Sequence, residues 1–364
     1  MILFVHNRYR QSGGEERAVE NLLWLVREHL GEEAELLTRD SALLGRRRAA
    51  AGMLRGGLSP QDVAHAVRRT RARVVHAHNL QPSFGWRALA ASREAGARVV
   101  GHLHQYRSVC AVGICFTHGR ECTRCHGRNT LPGVLHNCRG SAREALVYAA
   151  ALSLWQERTA ALIDAAIVPS EFALARLREL GAPLGDSVRV LPHPVTQFAS
   201  ASRAPLGAYA LFAGRLEPDK GLGVAVAACA QVGIPLVVAG EGSQRAAHEG
   251  APGVTFAGRV DAGELARLRA GARLALMPSL TSETFGLAAA ESMAAGLPVA
   301  ASDIGALGEL VPREWLSAPG DAAALARTVE ALAGDPSAGE AALRTAHERL
   351  DPARIASTLA AIYS

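Results

Sequence analysis

The sequence predicts an α/β protein made of two doubly wound domains, and three observations carry that reading. Its 364 residues exceed what one ordinary core serves, so two domains are the default. Short apolar runs alternate with helical patterns, and the alternation starts afresh half way along. Between the two series, Val195 to Leu206 is rich in Ser, Ala and Pro, the composition of an interdomain linker. The expected parts are therefore 1–194, a linker 195–206, 207–349, and a terminal helical segment 350–364.

The first series opens with Ile2-Leu-Phe-Val5, a buried strand, then Ser12-Gly13-Gly14-Glu15 and a helix with apolar Ala18, Val19, Leu22, Leu23 and Val26. A glycine pair between strand and helix lets a ligand approach the backbone, or simply makes a tight turn. Ala34 to Thr38 reads as a second strand. Arg46-Arg-Arg48 begins a basic stretch to Leu58, expected as a solvated face that could also meet acidic lipid. Ser59-Pro60 starts a helix, and Arg73 to Ala77 is a strand ending in His78-Asn79. Ala97 to His104 is another, with His102 and His104 at its carboxyl end, where ligands collect in open sheets. His102 is expected to face away from His104. Ser141 opens a long helix to about Ile163, Ala165 to Val168 and Val188 to Leu191 are strands, and Pro192-His193-Pro194 closes the series.

The second series has strands at Tyr209 to Ala213, Pro235 to Ala239, Val254 to Gly258, Arg273 to Met277 and Val299 to Ala301. After its first strand, Gly214-Arg215-Leu-Glu-Pro-Asp-Lys220-Gly221 places two cations five apart in a glycine-bounded turn, a way to hold one diphosphate. Pro278-Ser-Leu-Thr-Ser-Glu283-Thr-Phe285-Gly286-Leu287 leads into an Ala-rich helix that stops at Gly296. The open N–H groups of that first turn form an anion site. Glu283 and Glu291 flank it, so their carboxylates can accept from hydroxyls on both sides. Sugar hydroxyls, diphosphate and ribose hydroxyls have that layout.

Composition narrows the class. Hydrophobic residues at 49% and charged ones at 20% describe a globular chain, and the net charge of +5 is too mild to argue for nucleic acid. Met1 to Val5 lacks the basic start and the length of a secretory signal, and the apolar run Ala145 to Trp155 is shorter than a membrane span. The expectation is a cytoplasmic protein, with peripheral contact at the inner membrane face left open by the basic stretch. Five of the six cysteines fall between Cys110 and Cys138. Cys122-x2-Cys125 has metal-knuckle spacing, and Cys110 with Cys138 can complete a four-thiolate zinc site. Disulfides or free thiols are the alternatives. His118, His126 and His136 are reserve ligands.

The Glu283 to Glu291 stretch resembles the donor site of retaining glycosyltransferases of family 4, which carry Glu-x7-Glu within Pro-Ser…Glu-x-Phe-Gly-Leu. The resemblance extends over nearly the whole chain. It implies the GT-B arrangement, two Rossmann-like domains facing across a cleft, with the final helix crossing back onto the first domain. It assigns the diphosphate loop to Arg215 and Lys220, assisted by Phe285, Gly286 and Leu287. Glu291 would hold the ribose, Val260 would lie near the base, and Gly13 and Gly14 would face the cleft. Glu283 and His104 would orient the sugar being transferred, with the leaving phosphate oxygen as base and no metal at the reacting centre. The donor would be a UDP, GDP or dTDP sugar, and the acceptor a glycan, a lipid-linked glycan or a natural product. Some bacterial members have a similar cysteine insert, matched by His104-Gln-Tyr106-Arg107-Ser-Val-Cys110, Cys122 to Cys125 and Gly133-Val-Leu-His136-Asn-Cys138; Cys115 has no counterpart in that pattern and stays outside the ligand set. Where the family commonly has asparagine, this chain has His193, and no role carries over. A zinc-dependent nucleic-acid-binding protein and a sugar-nucleotide epimerase of the same fold are the competing readings.

Overall fold

Two parallel sheets of six strands each organise the computed structural model, which describes residues 1–10 and 13–364. Ser12 of the first glycine loop lies outside the described residues. The first sheet contains β1 (Ile2–Arg8), β2 (Ala34–Asp40), β3 (Val74–Ala77), β4 (Arg98–His102), β5 (Ala165–Val168) and β6 (Val188–Val190), in the order β2-β1-β3-β4-β5-β6. Side chains alternate across it as the strand period requires. Ile2 and Phe4 pack with Val19 and Leu22 of the helix Gly14–His29. Leu3 and Val5 pack on the other face with Val63, Val67 and Phe84. Both faces are covered, which is why the run carries no polar alternation.

The helix Pro352–Tyr363 belongs to this same unit, which comprises Met1–His118, Cys122–Pro194 and Pro352–Ser364. Its Ile355, Leu359 and Ile362 join the face formed by Ile2 and Phe4. Arg73 Nη1 donates to the Tyr363 carbonyl at 3.0 Å, and the Tyr363 hydroxyl lies 2.7 Å from His76 Nδ1.

The second unit comprises Gly119–Glu121 and Val195–Asp351. Its strands are β7 (Tyr209–Ala213), β8 (Leu236–Ala239), β9 (Val254–Gly258), β10 (Ala272–Met277), β11 (Val299–Ser302) and β12 (Leu316–Ser317), ordered β9-β8-β7-β10-β11-β12. The chain order reverses at β7, so a crevice opens at the carboxyl ends of β7 and β10, the place where such sheets bind ligands. The stretch Val195 to Leu206, expected as a linker, is bound along this unit. Val195 is buried in its core, Ala199 N donates to Ala294 O at 2.8 Å, and Ser202 Oγ to Gly296 O at 2.6 Å. Small residues suit such close backbone packing as well as they suit a linker, so composition alone misjudges the stretch.

The basic stretch is a helix, Arg46–Arg55, with all four of its arginines exposed. Among the described residues, no helix is long and apolar enough to cross a membrane.

Candidate functional site

In the second unit, the loops that follow β7 and β10 are locked together. Gly221 sits in the left-handed region at φ 69°, and a Cβ there would stand 2.0 Å from Pro278 O. Only glycine permits that approach. Leu280 N donates to Asp219 O at 2.8 Å across the same junction. The effect is to bring Lys220 to Glu283, with Nζ to Oε1 at 2.6 Å, while Ser279 Oγ donates to that oxygen at 2.7 Å. Asp219 is buried, and its Oδ2 lies 3.5 Å from both Lys220 Nζ and Arg215 Nη2. Burial pushes the Glu283 carboxyl up, but Lys220, Ser279 and Arg215 together hold it below the ordinary carboxylate range.

Gly286 begins the helix Leu287–Ala294 at φ 93°, and a Cβ there would meet Leu307 Cδ2 at 2.6 Å. No side chain caps this helix, and Phe285 is buried in the core beside it. Five expected residues thus stand in one succession, Arg215, Lys220, Glu283, Phe285 and Gly286, with Leu287 continuing it. Sequence reasoning missed Asp219 and Ser279, although both lie inside the quoted motifs. Glu291 is placed differently. It is buried, and its Oε2 accepts from Arg269 Nη2 at 2.6 Å. Arg269 lies on the helix Ala262–Gly271, and nothing in its surrounding pattern marks it. Val260 follows β9, two strands from β7, and is half-buried against the core.

In the first unit, the Gly13 N–H donates to Glu16 Oε2 at 2.8 Å, and Tyr9 N to Glu16 Oε1 at 3.0 Å. The helix start at Gly14 is therefore capped by its own acid, which disfavours a phosphate there. Glu15 is buried beneath it, accepting from Tyr9 Oη at 2.7 Å, and burial raises its carboxyl.

The carboxyl ends of β1, β3 and β4 gather buried histidines: His6, His76, His78, His102 and His104, joined by His193. His104 Nε2 lies 2.8 Å from His78 Nδ1, and its Nδ1 lies 3.4 Å from His193 Nε2. His102 does not face away from His104. Their rings stack with centroids 4.1 Å apart and planes 7° from parallel, because residues two apart in a strand share a face. Burial, then the neighbouring rings, holds His104 well below the usual histidine range, so it is neutral. His78, His102 and His104 line a cavity of about 190 Å³, walled on its apolar side by Met53, Trp86 and Trp155.

The insert's five cysteines line one small cavity of about 10 Å³, and all are free thiols. Cys115 is among them, and its thiol beside Cys110 brings Cys110 down to about 6. The donor set Cys110, Cys122, Cys125 and Cys138 suits a soft divalent ion, and the space admits one small ion. Among the described residues, no three thiols lie within 4.8 Å of one another as two histidine trios do, so an ion would have to draw them inward. His118 Nε2 bonds the His136 carbonyl at 3.0 Å, away from that role.

Two doubly wound units with these sheet orders define the GT-B class of fold, and comparison with solved structures agrees. The chain resembles sucrose-phosphate synthase from Thermosynechococcus elongatus at TM-score 0.71, with 19% identity over 100% of this chain and 98% of that one. It resembles Anabaena HepE in complex with UDP-glucose at TM-score 0.64, with 18% identity over 99% and 98%. Residues 207–335 match the sequence family described as Glycosyl transferases group 1. Relatives include glycogen synthase of Mycobacterium tuberculosis, 37% identical over 42% of this chain and 41% of that protein. The 2-deoxystreptamine glucosyltransferase of Streptomyces kanamyceticus is 33% identical over 57% of each chain. The phosphatidyl-myo-inositol mannosyltransferase of Mycobacterium leprae is 36% identical over 44% and 47%. These matches span between 41% and 57% of the relatives' own length. The likeness to group 1 glycosyltransferases is carried by the second unit, where the matched residues 207–335 lie.

Proposed function

We propose that this protein is a glycosyltransferase that moves a sugar from a nucleoside diphosphate to an acceptor hydroxyl with retention, needing no metal at the reacting centre. The observation that carries the reading is the convergence of Lys220 and Arg215 on Asp219, next to Glu283 and the uncapped helix start at Gly286. Two fixed cations and a row of N–H groups are what a departing diphosphate needs, and they work without reorganising as charge develops. Asp219 and Glu283 hold the Lys220 ammonium in place before the donor arrives. Once the diphosphate takes that ammonium, Glu283 is released to accept from sugar hydroxyls. Glu291, steadied by Arg269, takes the ribose hydroxyls, and the backbone at Val260 meets the base. His104, neutral and positioned by His78, orients the transferred sugar. The leaving phosphate oxygen serves as base toward the acceptor on the same face.

The first unit's cavity is assigned to the acceptor. Its Trp86, Trp155 and Met53 favour an acceptor with an apolar portion, lipid-linked or a natural product, over a bare polar glycan. Exposed Leu43 and Leu54 beside exposed Arg46, Arg47 and Arg48 support peripheral contact with an acidic membrane. The insert's thiolates would hold a structural zinc that orders a loop with little else to bury.

Thermal-shift and turnover panels of UDP, GDP and dTDP sugars test the reading. At least one donor should raise the melting temperature and be consumed only when an acceptor is present. Consumption without acceptor would favour the epimerase, and indifference to every nucleotide would end the assignment.

A further inference from the structure

The transfer reaction uses one of the six buried histidines, and the others need an explanation. Burying polar rings together is costly unless each nitrogen finds a partner. Here several do not. His78 Nε2 and His102 Nε2 are fully buried with no hydrogen-bond partner. His76, His78 and His102 each offer one ring nitrogen, the three atoms lying within 4.8 Å of one another. Within this trio, His76 Nε2 and His102 Nδ1 are 3.3 Å apart. Two nitrogens each about 2.0–2.1 Å from one tetrahedral ion stand at about that separation.

We propose that His76, His78 and His102 form a binding site for a single divalent transition-metal cation of the zinc type. Two of the three rings, His76 and His78, have the outer contact such sites need, and His102 Nε2 has none. A ligating histidine gives its other ring nitrogen to an outer partner that fixes its orientation. His76 Nδ1 meets the Tyr363 hydroxyl at 2.7 Å, and His78 Nδ1 meets His104 Nε2 at 2.8 Å. The adjoining cavity, which His78 and His102 line, can supply water as a fourth ligand. Burial also keeps the three rings neutral, the form that ligates metal. The ion would tie the ends of β3 and β4 to the C-terminal helix, a structural role.

Two experiments on the full untagged chain decide it. After chelation and dialysis against zinc chloride, the Cys122→Ser/Cys125→Ser variant should retain about one zinc per chain. Adding His102→Gln should abolish that retention, and adding Tyr363→Phe should weaken it about 10–100-fold. Should the cysteine variant fold poorly, cobalt-loaded wild type gives the second readout. A histidine-bound ion adds visible absorption without sulfur charge-transfer bands, and His102→Gln should remove only that component. A folded cysteine variant that retains no zinc, or a cobalt spectrum unchanged by His102→Gln, overturns the site.

Discussion

The two units present opposite kinds of polar interior at the carboxyl ends of similar sheets. In the second, the charged groups answer one another: Lys220 by Glu283 and Asp219, Arg269 by Glu291. In the first, the corresponding strand ends hold a stack of neutral rings around a largely apolar cavity. The difference teaches that one architecture can be set up for two tasks. Paired charges keep a site ready for an incoming dianion, which exchanges one counter-charge for another. Neutral rings beside tryptophans suit hydroxyl-bearing or apolar partners that bring no charge.

Acid should break this comparison most forcefully, because the two interiors respond to different pH ranges. Burial lowers His76 and His193 to about 3, and lowers His78, His102 and His104 well below the usual value. The unfolded chain takes up protons near 6.5 that these rings refuse. Stability of the first unit is thus full above that value and falls with pH, by about 1.4 kcal/mol per ring per unit. Glu15, raised by burial, opposes the trend at one position only. Glu283 is lowered, so its contribution is intact above the ordinary carboxylate value and disappears only as pH falls through its depressed folded value. Hydrogen exchange of chelator-stripped protein between about pH 6.5 and 5 should therefore show peptides of the first unit opening while those around Glu283 stay protected. Simultaneous opening of both would contradict the contrast.

Lys220→Ala sharpens the comparison from the other side. Removing one fixed charge from a leaving-group site costs about 10²–10³ in turnover. Lys220 and Glu283 are only partly exposed, so unfolding measured alongside turnover separates lost stability from lost chemistry. Steady-state kinetics with the accepted donor would measure it, and a loss below about tenfold would remove Lys220 from the chemistry.

How much of this was legible in the sequence follows from the same physics. Eleven of the two sheets' twelve strands were readable because apolar runs bounded by turns obey local rules, while the two-residue β12 was too short to leave such a run. The loop carrying Arg215 and Lys220 and the one carrying Glu283 were readable because each motif is contiguous. Arg269 was not, since its meaning comes entirely from Glu291, 22 positions away on another helix. The histidine stack was half visible. His76, His78, His102 and His104 stand two apart in pairs, and the two-residue period places each pair on one face. What the pattern could not give was that β3 and β4 are neighbours, which stacks the pairs on each other.

The buried ion pair gives the next prediction. Arg269→Ala strips the buried Glu291 carboxylate of its ion pair, at a cost of about 3 kcal/mol in denaturant unfolding. Arg269→Met with Glu291→Leu removes both charges and should recover most of that loss. If Arg269→Ala proves neutral, Glu291 is reached by water and its place in the second unit's charged interior must be redrawn.

The smallest effect probes the neutral interior by a single atom. Tyr363→Phe deletes the hydroxyl that meets His76 Nδ1 and leaves the ring packed against Ile2, Phe4 and Leu359. Because the shape is kept, the loss is that of one buried hydrogen bond together with a stranded imidazole nitrogen, about 1–3 kcal/mol. In metal-stripped protein, urea unfolding should register that cost with an unchanged m-value, since the surface exposed on unfolding is the same. The double variant Tyr363→Phe/His76→Leu replaces both partners with apolar groups and should regain stability. Were the double variant to fall further instead, His76 would hold other contacts than the hydroxyl, and the C-terminal helix would be anchored to the first unit by its aliphatic face and the Arg73 bond to the Tyr363 carbonyl.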